Sequence, residues 1–327
     1  MAQLVRWESR RHDDRVATNA DQSEIAAVRY GSCNLEAGTF DDRVAESLDD
    51  YEVSDPQPVP DWASRDAALD NATSDIGIEI RRRQQILGGG YPFHLTGNIL
   101  QYRPSSTLVY EFCLAVSQSP SLNQGDYARL PVAFERLVRD VLVCFLGPGT
   151  NGVRTGWPPD GHEIRPPRFK DVSRQLHSAT GATGEWWWSP DNNLPHDPDS
   201  RHVKDEGLDV VVWKGIADGR PGKLFVLGQC ACGNDYQTKF YDISADFAKL
   251  KKWMKPLSFA TPLRVFSTPR HIPNDAFFAE VNREAGLTFD RARIALLAVE
   301  AADYVTNQAR EPYADLISIA ISGFRVG

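Results

Sequence analysis

The chain has 327 residues and a net charge of −8, a length that fits one large domain or two small ones. Its 42% hydrophobic and 24% charged residues are typical of a globular protein and exclude a fibrous or wholly disordered one. Because it has no run of about 18 apolar residues, no apolar leader and no CxxC pair among its five cysteines, we expect a cytoplasmic protein without a membrane span or disulfide framework.

The negative charge is concentrated at the start of the chain. Residues 1–80 contain 18 acidic and 7 basic residues, whereas residues 81–327 contain 26 and 29. Residues 1–60 are rich in Asp, Ser and Pro, and their apolar residues follow no sustained period. We expect residues 1–60 to form an acidic, partly ordered N-terminal arm, which is either a solvated extension or a docking segment for a basic partner.

Residues 61–128 are predicted to form a subdomain of helices and strands. A helical pattern begins at Asp66 and ends at the three glycines 88–90. Residues 91–103 are strand-like, and residues 107–116 fit either a strand or a helix.

Residues 129–327 are predicted to form the core of the protein. An apolar stripe with helical spacing covers 130–146, and a long Gly-, Pro- and Trp-rich region follows over 148–206. Two apolar strands separated by a turn predict a hairpin, and further elements follow it: strands at 207–215, 223–231 and 263–268, and helices at 243–254, 275–285 and 290–309. This order predicts an α/β fold with a mixed central sheet flanked by helices.

Two polar residues, Asp209 and Gln229, interrupt the apolar strands of the predicted hairpin. A buried carboxylate needs a partner, a metal ion or a shifted pKa. Pairing Lys214 with Lys223 would place Asp209 opposite residue 228, whereas a shift of one residue would place Asp209 and Gln229 on one face. The pattern is compatible with both registers.

The stretch KDEGLDVVVWKG…DGRPGKLFVLGQCACG resembles the core of the PD-(D/E)xK, or restriction-endonuclease-like, superfamily. The resemblance covers about residues 125–300 and is to a bacterial branch with Gln at the second motif position. It implies a restriction-endonuclease-like fold and a metal-dependent nuclease that cleaves DNA in restriction or anti-phage defence. It also implies assembly with a motor or sensor protein.

The resemblance assigns roles to particular residues. Asp209 and Gln229 match the family's two metal-binding positions, and Glu135 on the 130–146 helix matches the carboxylate that often adds a metal contact. Ala231 stands where the family has Lys, so Lys239, predicted to open the next helix, is the candidate for a migrated Lys. Glu135, Asp209 and Gln229 would then hold Mg²⁺ or Mn²⁺, which prefer hard oxygen ligands. A positioned cation such as Lys239 would offset the negative charge that develops during phosphodiester hydrolysis.

Further residues are candidates for supporting roles. Asp205 and Glu206 precede the first hairpin strand and are candidate sources of additional oxygens. The remaining candidates form a basic run that would contact DNA phosphates: Lys249, Lys251 and Lys252.

Each of these residues also has a structural alternative. Glu135 has Arg139 as a possible partner four residues along an exposed helix face, and the lysines would form a solvated surface. If Lys239 does not reach the site, the chain is a catalytically inactive nuclease-fold module that binds nucleic acid or a partner of a defence complex.

Overall fold

Two sheets and ten α-helices make up the described part of the chain. The computed structural model describes residues 2–36, 62–159, 165–180, 185–187, 203–251, 253, 255 and 261–322. Side chains of the first two helices are described from residues 12 and 70 onward. None of the helices described is long and apolar enough to cross a bilayer.

The helices are α1 (Ala2–Tyr30), α2 (Trp62–Leu87), α3 (Val109–Gln118), α4 (Arg129–Leu146), α5 (Phe169–Thr180), α6 (Ala248–Lys251), α7 (Asp275–Ala285), α8 (Arg291–Glu300), α9 (Ala302–Gln308) and α10 (Tyr313–Ser322). The strands are β1 (Ser32–Asn34), β2 (Phe93–Thr96), β3 (Ile99–Tyr102), β4 (Thr150–Arg154), β5 (Val210–Lys214), β6 (Leu224–Cys230), β7 (Leu263–Ser267) and β8 (Leu287–Phe289).

The central sheet has five strands in the order β4-β5-β6-β7-β8. Its first three strands are antiparallel and its last two pairings are parallel, so the predicted mixed sheet is confirmed. Side chains alternate along β5: Val210 and Val212 pack with α3, α4 and α8, whereas Val211 and Trp213 pack with α5 on the other face. Helices therefore cover both faces of the sheet, as predicted.

The hairpin of β5 and β6 is confirmed, and its register is now defined. Lys214 pairs with Leu224 and Val210 with Gly228, one residue away from a Lys214–Lys223 pairing. Continued by one residue, this register places Asp209 opposite Gln229. The polar residues of the two strands thus share one face at the end of the hairpin.

A second, smaller sheet has the order β1-β3-β2. The strand-like stretch 91–103 is a hairpin of two strands instead of one, because Gly97, with a φ of +56°, turns the chain between Thr96 and Ile99. Of the two alternatives for residues 107–116, the structure has the helix, α3.

The first half of the segment predicted to be an arm is the long helix α1, which packs against α2 and α3. The buried side of α1 includes Asp21, Ser23 and Glu24, so no apolar period was visible in the sequence. The rest of the predicted arm, residues 37–60, lies outside the described residues.

Two expectations about the other helices need correction. The predicted helix 243–254 is reduced to α6, because Phe247 has a φ of +56°, which lies outside the helical region. The predicted helix 290–309 breaks at Ala301 into α8 and α9. The long region 148–206 contains both β4 and α5. The predicted helices 130–146 and 275–285 are confirmed as α4 and α7.

Candidate functional site

Asp209 lies at the junction of three strands, one residue before β5. The residue is 7% exposed, and its Oδ2 accepts a hydrogen bond of 2.8 Å from the Cys230 N–H of β6. Its backbone oxygen accepts from the N–H groups of Thr155 and Gly156, just after β4. Burial and, next, the negative charge of Asp205 raise the pKa of Asp209 to about 7. The fold thus holds this carboxyl group in place although its charged form is disfavoured.

Gln229, opposite Asp209, carries a buried oxygen that is not satisfied. The residue is 6% exposed, and its Oε1 has no hydrogen-bond partner among the described residues. Gly207, with a φ of +75°, lies so close that a Cβ there would be 3.2 Å from this oxygen. An unpaired buried acceptor is costly, so a donor or a cation at this position would stabilise it.

Glu135 reaches the same region from α4. It is 6% exposed, and its Oε2 lies 2.6 Å from Arg154 Nε, close enough for an ion pair, although the alignment is not that of a hydrogen bond. Burial and, next, the charge of Asp209 raise the pKa of Glu135 well above its usual range, while Arg154 opposes this rise. The alternative pairing of Glu135 with Arg139 is wrong, because Arg139 pairs with Asp140.

The predicted lysines meet at a different carboxylate, Asp242. Lys239 is 48% exposed at the end of a 3-10 turn, not at the start of a helix, and its Nζ lies 3.6 Å from Asp242 Oδ2. Lys249 Nζ lies 2.8 Å from the other oxygen of Asp242. Lys251 is exposed, and Lys252 lies outside the described residues.

Asp242 nevertheless belongs to the surroundings of the site. Its Cβ would be 2.9 Å from a Cβ on Gly207, the residue that also faces Gln229, and its charge acts on Asp209. Lys239 and Lys249 therefore place positive charge at the edge of the site through Asp242.

Ala231, at the position where the family has Lys, is buried in an apolar cluster with Phe266 and Phe277. Of the two other supporting candidates, only Asp205 lies next to the site. It accepts hydrogen bonds from the Trp157 and Gly207 N–H groups. Glu206 instead accepts from the Trp253 indole N–H.

Sequence reasoning missed Arg154 and Asp242. Arg154 lies in TNGVRTG, whose glycines and asparagine are typical of a loop, and its partner is on another element. Asp242 follows a cluster of polar residues with nothing to distinguish it from a surface carboxylate.

The oxygen atoms brought together here are of the types that a divalent metal ion prefers. Glu135 and Asp209 are buried carboxyl groups that repel each other, and Gln229 adds an unsatisfied amide oxygen. Hard cations such as Mg²⁺ prefer oxygen ligands of this kind. Among the described residues no group of three or more His, Cys, Asp and Glu side chains is arranged to hold a metal ion. The predicted trio has two carboxylates and one amide, so the ligand set depends on Gln229.

No protein-family model matches this chain, and no curated protein or solved structure matches it either. The fold and the site thus define a mixed α/β protein with a buried carboxylate pair at one end of a hairpin. Arguments about its function depend on that geometry.

Proposed function

We propose that the chain is a metal-dependent nuclease that hydrolyses DNA phosphodiester bonds, acting in a bacterial restriction or anti-phage defence system. The observation that supports this most is the register of β5 and β6. It brings Asp209 opposite Gln229, the arrangement that the resemblance to the PD-(D/E)xK superfamily requires. The opposite register would have separated the two side chains onto different faces.

The residues would divide the work as follows. Asp209, Gln229 and Glu135 would hold Mg²⁺ or Mn²⁺, and the Cys230 N–H would keep the Asp209 carboxylate in place. The bound metal supplies an activated water and neutralises charge on the scissile phosphate.

The lysines would act on the substrate. Lys239 and Lys249 would draw the DNA backbone toward the site, with Lys251 farther along the same basic run. Because Lys239 and Lys249 are paired with Asp242, a phosphate would have to compete with that carboxylate for them.

The second candidate is a catalytically inactive module that binds nucleic acid or a motor or sensor protein. Three observations favour it. Ala231 is packed against aromatic residues, Glu135 is already paired with Arg154, and Lys239 is engaged by Asp242. In this alternative the buried carboxylate pair is a remnant whose charge is balanced within the protein.

Cleavage of supercoiled plasmid with Mg²⁺ or Mn²⁺ distinguishes the two candidates. We expect nicking by the wild type, a loss of roughly 10²-fold or more in Asp209→Ala, and a smaller loss in Lys239→Ala. Asp218→Ala is the matched control, since Asp218 lies in the exposed turn of the same hairpin. Nicking that persists in Asp209→Ala contradicts the proposed site, and absence of nicking in every variant favours the inactive module.

A further inference from the structure

Arg154 is a buried cation in direct contact with a proposed metal ligand. Its side chain is fully buried at the end of β4, with Nε 2.6 Å from Glu135 Oε2. Its Nη2 donates to the Pro158 backbone oxygen at 2.9 Å. Its Nη1 has no hydrogen-bond partner among the described residues. The guanidinium is thus held by one ion pair and one backbone contact, with a buried donor left unsatisfied.

Glu135 has little freedom to move between the Arg154 guanidinium and a metal ion. A Cβ on Gly156 would lie 2.3 Å from Glu135 Oε2 and 2.7 Å from its carboxyl carbon. The carboxyl group therefore lies directly against the backbone that follows β4. Since Arg154 is on the same strand, the ion pair and the close approach hold one oxygen of Glu135 at β4.

Arg154 also acts on the second carboxylate. Its positive charge favours ionised Asp209, although Asp209 hydrogen-bonds to the Cys230 N–H and not to the guanidinium. Arg154, together with the neighbouring buried guanidinium of Arg165, therefore compensates charge that a divalent ion would otherwise compensate. Two cations at this short range would repel each other strongly, because burial lowers the screening.

We propose that Arg154 is a built-in competitor of the divalent metal ion for Glu135, and that it keeps the metal-free chain in a latent state. This inference depends on the metal site of the proposed function. Arg154 is a positioning residue: it acts through Glu135, whose release from the guanidinium completes the ligand set. The chain would accordingly bind metal weakly as long as the guanidinium stays on Glu135.

Mn²⁺ affinity, measured at pH 8 from the electron paramagnetic resonance signal of free Mn²⁺, tests the inference without using activity. We expect Arg154→Met to bind Mn²⁺ at least about tenfold more tightly than the wild type, because a repelling charge is removed. Arg154→Gln, which keeps a donor for the Pro158 oxygen, should do the same. Arg154→Lys, which keeps the charge, should remain close to the wild type.

A double-mutant cycle shows whether the effect passes through Glu135. In a Glu135→Gln background, we expect Arg154→Met to change Mn²⁺ affinity by less than about threefold. Circular dichroism of every variant, with and without Mn²⁺, reports whether the fold is retained. A purely structural role for Arg154 would weaken Mn²⁺ binding in both neutral variants.

The outcomes separate the inference from the proposed function. Suppose that Asp209→Ala abolishes Mn²⁺ binding but neither Arg154→Met nor Arg154→Gln binds more tightly than Arg154→Lys. The metal site is then supported, and the proposed competition between Arg154 and the metal ion is wrong. An equal gain in the Glu135→Gln background also contradicts it. If no variant binds Mn²⁺, the metal site and the inference both fail. Tighter binding without plasmid cleavage would leave the inference intact and refute only the nuclease.

Discussion

Two clusters of buried charge in this protein differ in how completely their charges are paired. The first joins α1, α2 and α8, and the side chains of its members are all buried: Asp21, Glu24, Glu79, Arg83, His271, Asp290 and Arg291. Arg83 alone contacts Asp21, Glu24 and Glu79 at 2.7–2.9 Å. The second is the candidate site, where Arg154 has Glu135 as its carboxylate partner.

The pKa shifts of the two clusters run in opposite directions. Burial alone would raise the pKa of Glu79, but His271 and Arg83 lower it to about 2. At the site, burial and Asp205 raise the pKa of Asp209 to about 7. In the first cluster the cations contact the carboxylates directly, whereas at the site Asp209 hydrogen-bonds to a backbone N–H and contacts no guanidinium of the described residues, so its pKa stays raised.

The largest effect on stability is expected from Arg83→Met. This substitution leaves three carboxylates of the first cluster without their shared cation, and unpaired buried charges typically cost roughly 3–5 kcal/mol. Urea unfolding at pH 7 measures the loss. Arg81→Met is the matched control, since Arg81 lies exposed on the same helix, and we expect it to change stability by less than about 0.5 kcal/mol. Equal effects of the two substitutions would mean that the cluster contributes little to stability.

In the metal-free protein, Asp209→Asn is expected to change stability in the opposite direction from Arg83→Met: it should stabilise the fold. The raised pKa means that the folded state holds a proton which the unfolded state releases above about pH 4. The stability that this proton on Asp209 contributes is present below pH 4 and is lost as the pH rises through about 7. Asn does not titrate and still accepts from the Cys230 N–H, so we expect stabilisation of roughly 2–3 kcal/mol at pH 8.

Urea unfolding in EDTA at pH 8 and pH 5 measures this difference. The advantage of Asp209→Asn should shrink at pH 5, where the wild-type carboxyl group is protonated in the folded state. Asp218→Asn, in the exposed hairpin turn, should change stability little at either pH. Destabilisation by Asp209→Asn at pH 8 would show that the ionised carboxylate supports the fold, and the contrast between the clusters would be lost.

The elements that sequence predicted are those whose signals are local. The apolar stripe of α4 and the two apolar strands on either side of an Asp-Gly and Pro-Gly turn each lie within about 20 residues. The N-terminal helix α1 lacked such a signal, because its buried side is polar. Asp21 and Glu24 are satisfied by Arg83 and Arg291, which are 59–270 residues away in the chain.

The residues of the candidate site, like the elements of the fold, were predictable only where their signal is local in the sequence. Asp209 and Gln229 stood out because polar residues interrupt apolar strands, but nothing local distinguished two registers that differ by one residue. Arg154 was missed because its partner, Glu135, is brought to it only by the packing of α4 on β4. Polar residues within an apolar strand thus indicate candidate site residues from sequence alone. Ion pairs between different elements can be identified only from the structure.

The smallest expected effect, Gly156→Ala, tests whether the close approach of Glu135 to the β4 backbone matters. The added methyl group would lie 2.3 Å from Glu135 Oε2, so the carboxyl group must move. We expect a loss of about 1–2 kcal/mol in urea unfolding, as for other overpacked sites. Gly89→Ala is the control, since nothing lies within 4 Å of its added Cβ. If Gly156→Ala retains its stability, Glu135 has room to move, and the Arg154 ion pair alone would hold it at β4.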